Sequence, residues 1–306
     1  MKYISLKEAS ENWKISGRRI RALCSEGRIE GAVKIGRNWS IPADAVKPAD
    51  ARVGTQNIYL GLDYDFGYID SIKEAIDRHR PFSKRLVDSL HEKLIVEWTY
   101  NSNAIEGNTL TMSETKVVLE GITIGGKSMA EHLETINHRD AILFVEDLVS
   151  DKEPLSEWNI KNTHALILKE IDNPNAGKYR SENVVVSGAK HLPPRHYEIS
   201  LLMQKLISEY HREWTGYHPV VRAALLHGEF IKIHPFIDGN GRTARLLLNF
   251  ELMRNGYPPI IIQNDNRVQY YDALDLAHTT MNYEPFIRLV SEREIESEKL
   301  WLSVVE

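Results

Sequence analysis

A single cysteine, Cys24, stands in 306 residues, so no disulfide can close within the chain and no cysteine-rich zinc site can be built. No apolar run approaches the eighteen or so residues that a membrane-spanning helix requires. The 18 Gly and 12 Pro are scattered along the whole length, which excludes a collagen repeat and a low-complexity disordered tract. The opening Met1-Lys2-Tyr3-Ile4-Ser5-Leu6-Lys7-Glu8 turns polar within four positions and lacks the apolar core of a secretory leader, so a cytoplasmic protein with no membrane partner is expected. What is left is an ordinary globular composition, 42% hydrophobic and 26% charged. It has length for about two domains and depends on a buried core rather than on cross-links.

Charge is uneven. Residues 1–48 carry ten Lys/Arg and five Asp/Glu, a net +5, whereas residues 49–306 carry −10. Two parts of opposite sign suggest two different partners. Between them Pro42, Pro48 and the small-residue run 49–55 interrupt any periodicity. The expected division is a head at 1–48, a linker at 49–66 and a body at 67–306.

In the head, Ser5-Leu6-Lys7-Glu8 is a capping box that opens a helix, with Leu6, Ala9 and Trp13 on one face. A turn at 14–17 and a second helix from Arg18 to about Ser25, stopped by Gly27, complete helix-turn-helix spacing. Residues 32–41 then give two short alternating runs about a glycine turn, as a β-hairpin would. Arg18, Arg19, Arg21 and Arg37 would face a phosphate backbone or groove. The pattern resembles the small winged helix-turn-helix heads of the excisionase and MerR type, which implies DNA as a partner. The competing reading is a solvated basic face that docks a protein.

From residue 67 onward the period is helical. Leu86, Leu90, Leu94 and Trp98 recur four apart, Ser128 to Glu131 forms a capping box ahead of a long run to Val149, and six further stretches behave alike. The exception is Asn183-Val184-Val185-Val186-Ser187-Gly188 before Pro193-Pro194. Its β-branched run and turn signal predict a short exposed hairpin. The fold class is mostly α, with no internal repeat.

The chemistry concentrates in His234-Pro235-Phe236-Ile237-Asp238-Gly239-Asn240-Gly241-Arg242-Thr243-Ala244-Arg245. Gly239 and Gly241 flank Asn240, letting successive N–H groups turn inward at the start of a helix, an arrangement that binds phosphate. Arg242 and Arg245, three apart, are expected to project together toward a polyphosphate. Asp238 is a hard oxygen ligand suited to Mg²⁺ shared with phosphate oxygens. His234 supplies a titratable base. Nine fixed positions in this string make coincidence within the chain negligible.

The string matches the signature of the Fic family, and the helical body resembles that family over roughly residues 60–300. The resemblance implies transfer of AMP from ATP to a hydroxyl of a protein, possible self-modification included, with release of pyrophosphate. It implies His234 as the base for a Ser, Thr or Tyr hydroxyl, Asp238 on Mg²⁺, and Gly239, Asn240 and Gly241 as the anion hole. Arg242 would aid the loop and Arg245 would grip the γ-phosphate. Gly241, where kinase relatives carry Lys, favours AMP. The hairpin Val184, Val185, Val186, Ser187, Gly188 would be the flap that holds an extended target segment. A homodimer is expected, as such bodies and helix-turn-helix readers often pair.

Ser102-Asn103-Ala104-Ile105-Glu106-Gly107 resembles the family's inhibitory motif. It implies that Glu106 pairs with Arg245 and blocks productive ATP, Ser102 belonging to the same motif, and that Glu106 could orient water for AMP removal. Gly121-Ile122-Thr123-Ile124-Gly125-Gly126-Lys127-Ser128 also satisfies a P-loop pattern. A P-loop needs a parallel sheet that this helical body does not offer. The expectation there is a helix-helix loop, with Gly121 as a cap and Ser128 opening the next helix. The alternatives kept beside AMP transfer are an ATP-sensing transcription regulator with an idle body and a P-loop phosphotransferase.

Overall fold

A computed structural model of the chain describes residues 3–13, 17–25, 29, 31–36, 38–43, 45 and 64–306. The chain divides into two units, Met1–Gln56 and Asn57–Glu306.

The smaller unit runs β1 (Tyr3–Ser5), α1 (Leu6–Trp13), α2 (Gly17–Ser25), β2 (Val33–Ile35) and β3 (Asn38–Pro42). Ser5 and Glu8 close the capping box, the Glu8 amide donating to Ser5 Oγ at 3.3 Å and the Ser5 amide to Glu8 Oε2 at 2.8 Å. All pairing is antiparallel in the order β1-β3-β2. The β2–β3 turn has Gly36 at φ 61, a left-handed value that glycine takes without a steric penalty. Strand β1 is too short to show an alternating pattern, and sequence reasoning did not anticipate it. Ala9, Ile20, Leu23, Cys24, Ile29 and Ile41 form the small core, and burial raises the Cys24 thiol pKa. Arg21 is exposed on α2. Helix α2 also carries Arg18 and Arg19, whose side chains lie outside the described residues, as do Arg37, Gly27, the turn at 14–16 and the linker up to residue 63.

The larger unit is helical: α3 (Gly67–Asp77), α4 (Lys84–Ile105), α5 (Met112–Leu119), α6 (Met129–Ser150), α7 (Glu157–Ile167), α8 (Ile199–Arg212), α9 (Pro219–Ile233), α10 (Asn240–Arg254), α11 (Arg267–Thr280) and α12 (Glu284–Val305). Ser83, Thr111, Ser128 and Ser156 accept N-terminal amides of α4, α5, α6 and α7, supplying the acceptors that a helix start lacks. Helices α9 and α10 pack together at the centre. Nearly every residue of α10 is buried, so it is the core helix around which the others assemble.

Helix α4 runs past Tyr100, so Ser102 lies in its last turn and Glu106 is its C-cap. Gly107 follows at φ 101. The Gly107 amide donates to the Ala104 carbonyl and the Asn108 amide to the Asn103 carbonyl, a Schellman ending that fixes where Glu106 points.

The hairpin expected at 183–188 is corrected. That segment pairs with no strand, and its only regularity is a turn in which the Ala189 amide donates to the Val186 carbonyl at 3.3 Å, with Gly188 at φ 82. β-Branched residues favour extended backbone but cannot supply a neighbouring edge, and Pro193 and Pro194 on the return arm have no N–H to give.

On α12, Glu294 and Glu298 are buried with no hydrogen-bond partner for their carboxylate oxygens among the described residues. Burial raises both, Glu298 to about 8, with Asp70 and Asp77 adding to the rise and Lys73 opposing it. The unfolded chain loses these protons near pH 4.5 while the folded chain keeps them, so stability should fall as pH rises through that window. Glu298→Gln is expected to melt higher than the parent at about pH 8 and to gain less at about pH 5, as thermal melts at the two values would show.

Candidate active site

Helix α9 ends and α10 begins on either side of residues 234–239. His234, the α9 C-cap, lies in the left-handed region at φ 50, ψ 61, and Gly239, the α10 N-cap, at φ 72. A bulky residue seldom adopts the first conformation. Here the His234 amide donates to the Phe230 carbonyl at 3.0 Å and the His234 carbonyl accepts from Arg180 Nε at 2.8 Å.

The Asn240 side chain closes the loop across its base. Its Oδ1 accepts from the Phe236 amide at 3.0 Å and its Nδ2 donates to the Phe236 carbonyl at 2.9 Å. The Thr243 amide makes the first helical bond, to Gly239, at 3.0 Å. The N–H groups of Asn240, Gly241 and Arg242 therefore lie ahead of the helical ladder, free for an anion at the positive end of α10.

His164 holds the loop from beneath. Its ring stacks on Phe236, centroids 3.6 Å apart and 5° from parallel. Its Nδ1 accepts from the Gly177 amide at 2.9 Å, so the proton is on Nε2, which donates to the Asp238 carbonyl at 2.9 Å. Burial lowers its pKa to about 4, which keeps this neutral tautomer at physiological pH.

Arg242 and Arg245 do not project together as expected. Arg242 is buried and turns to Glu134 on α6 at 3.1 Å and to Asp238 at 3.2 Å. Charge pairing with Glu134 draws it away from the pocket. Arg245 faces α4: Nε donates to Ser102 Oγ at 3.0 Å, and Nη2 to the Ser102 carbonyl at 2.8 Å and to Glu106 Oε1 at 2.7 Å. Burial alone would lower the Arg245 pKa, but Glu106 and Tyr270 together oppose it and the net direction is up.

A cavity of about 330 Å³ opens beside these groups, lined by Glu106, His234, Gly241 and Arg245 at one end. Val186, Ser187 and Gly188 lie along one side, and Tyr270, Tyr271, Leu274 and His278 of α11 along another. Its size lies within the range of small-ligand pockets. Gly241 leaves room for the Glu106 carboxylate, which a Cβ there would displace from its present position beside Arg245. Val184 is half-buried and Val185 exposed, and neither lines the cavity. Burial, then the Arg180 charge, lower the His234 pKa to about 4, with the Ile231 carbonyl, Glu106 and Asp238 opposing. At neutral pH the ring is thus uncharged and has a lone pair to offer.

The P-loop match takes no part. Gly121 sits at φ 87 as a stop after α5, Ser128 caps α6, and Lys127 Nζ is spent on the Thr109 carbonyl at 2.5 Å and on its hydroxyl at 3.0 Å. Lys127→Ala is expected to leave ATP affinity within about twofold of the parent by calorimetry, as for a substitution away from a site.

Sequence reasoning missed Arg180, His164 and Glu134. Each acts on the loop from a segment more than fifty residues away, and only the fold brings it there.

The Fic/DOC family model matches residues 154–252. The protein adenylyltransferase Fic of Drosophila grimshawi is 40% identical over 195 residues, 63% of this chain and 40% of the relative. That of Drosophila virilis is 38% identical over 252 residues, 82% of this chain and 49% of the relative. The chain thus spans less than half the length of these curated relatives. Among solved structures, a Fic domain containing signaling protein from Bacteroides thetaiotaomicron superposes with a TM-score of 0.72 at 32% identity, over 78% of this chain and 96% of that one. Fic-1 from C. elegans, residues 134–508, gives 0.70 at 28% identity, over 82% and 73%.

Proposed function

The chain belongs to the Fic/DOC family, and from that premise we propose that it transfers AMP from ATP to a Ser, Thr or Tyr hydroxyl of a protein. The observation that carries the reading is one cavity lined by Gly241 at the start of α10, by Arg245 and by His234. The amides of Asn240, Gly241 and Arg242 seat the phosphates, and Arg245 takes the terminal one. The target oxygen attacks the α-phosphorus as the bond to the β-phosphate oxygen breaks. His234 receives the hydroxyl proton, and pyrophosphate leaves. Catalysis is then positioning and charge stabilisation. The segment 184–188 beside the cavity is the surface along which the target lies.

Asp238 keeps its carboxylate mostly in solvent, with Oδ2 toward Arg242. No group of three or more His, Cys, Asp or Glu forms a metal cage among the described residues. That donor set suits Mg²⁺ arriving on the phosphates of ATP, with one carboxylate oxygen added from the protein. In the resting chain Glu106 occupies Arg245, so the enzyme is auto-inhibited. For the head we propose DNA binding: helices α1 and α2, a three-stranded antiparallel sheet and a net charge of +5 are the parts such a reader uses.

The test is to offer the Glu106→Gly chain ATP labelled at the α-phosphate and, separately, at the γ-phosphate. Label on protein from the α position alone is the expected result. Label from the γ position would make the enzyme a kinase, and none from either would leave the ATP-sensing regulator.

A further inference from the structure

Arg180 is buried, 4% exposed, and has no carboxylate partner among the described residues. Instead each of its guanidinium nitrogens donates to a main-chain carbonyl: Nε to His234 at 2.8 Å, Nη1 to Glu182 at 2.7 Å and Nη2 to Pro194 at 2.6 Å. Its own amide donates to the Pro235 carbonyl at 2.9 Å. Glu182 and Pro194 stand at the two feet of the segment whose residues 186–189 line the cavity, and His234 is the proposed base.

We propose that Arg180 is a positioning residue that ties both feet of the 183–193 segment to the backbone of His234, so that a target lying on Val184–Gly188 arrives in register with the imidazole. The inference rests on the AMP-transfer reading and names what sets the distance between its two working surfaces. The segment has no strand ladder to hold it. Besides Arg180 it is held where the His196 amide donates to Asn183 Oδ1 at 3.0 Å, the Lys190 amide to the Asp275 carboxylate at 3.2 Å and His191 Nε2 to the Lys232 carbonyl at 3.1 Å. His234 in turn occupies a left-handed conformation, which persists only when its surroundings fix it. Arginine suits this place because its planar fork reaches three acceptors at fixed angles. Lysine offers one mobile point donor. The guanidinium also helps keep the His234 ring neutral.

The test compares the Glu106→Gly chain with the same chain carrying Arg180→Lys or Arg180→Met, using α-labelled ATP with the chain's own hydroxyls as acceptors. Arg180 does not itself line the cavity, so the KM for ATP should stay within about twofold while kcat falls by about tenfold or more in both variants. Trypsin should cut after the exposed Lys190 about tenfold faster once the feet are loose. If Arg180→Met does not fold, Arg180→Lys carries the comparison alone. Labelling and cutting both within about twofold of the Glu106→Gly parent would overturn the staple and leave AMP transfer standing. A KM that rises in step with the loss of kcat would also overturn it, by showing a general collapse of the site. If the Glu106→Gly parent does not label at all, AMP transfer itself fails, and unchanged cutting at Lys190 then sinks the staple independently.

Discussion

Glu106→Gly should raise the initial rate of AMP transfer by about ten- to a hundredfold. Arg245 is almost wholly buried, with Nε and Nη2 committed to Ser102 and to Glu106 and Nη1 left without a hydrogen-bond partner among the described residues. A hydrogen bond between charged groups contributes about 1.5–3 kcal/mol, and each 1.4 kcal/mol is a factor of ten. Incoming triphosphate must displace that bond before its last phosphate reaches the guanidinium. Removing the carboxylate leaves the cation ready, and the Schellman turn at Gly107 keeps the helix end closed. Glu106→Gln keeps the shape without the charge and should fall between the two. Initial rates of α-label incorporation decide the matter, and equal rates in parent and glycine variant would leave the carboxylate with no inhibitory role.

His234→Ala in that released background should lower the rate by about a thousandfold, inside the range for losing a positioned general base. Its pH dependence is informative. With a pKa of about 4, depressed by burial and by Arg180, the free enzyme's acid limb should lie near that value rather than near the usual 6.5 of histidine. A ring of so low a pKa is a weak base. Bound phosphate, being negative, draws the pKa back up and strengthens the base when the substrate is present. The limb in kcat should therefore lie at higher pH than the limb in kcat/KM. Coincident limbs would mean that the nucleotide does not approach the imidazole.

How much of this was legible in the sequence follows from distance along the chain. Residues 234–245 are neighbours whose spacing already points to a glycine turn, a helix N-terminus and a base, so the loop could be read directly. Ser102 and Glu106 lie far from it, and only the family resemblance proposed their meeting with Arg245. His164, Arg180 and Glu134 carry no local pattern. A histidine under a phenylalanine ring looks like any core histidine until the fold stacks them. The Val184–Val186 run misled because β-branched residues speak for extended backbone and are silent about a pairing partner. Arg242 misled because helical spacing gives a direction but not the acid on α6 that reorients the side chain.

Glu134 divides its carboxylate between two regions. One oxygen accepts from Asn108, just past the end of α4, at 2.8 Å, and the other from Arg242 behind the phosphate loop at 3.1 Å. Asn108 also donates to the Glu131 carbonyl on the same helix at 3.1 Å. The turn that follows Glu106 and the arginine behind the loop thus share one acid on α6, each with a second tie of its own. A substitution at Glu134 would therefore be felt on both sides of Arg245 at once.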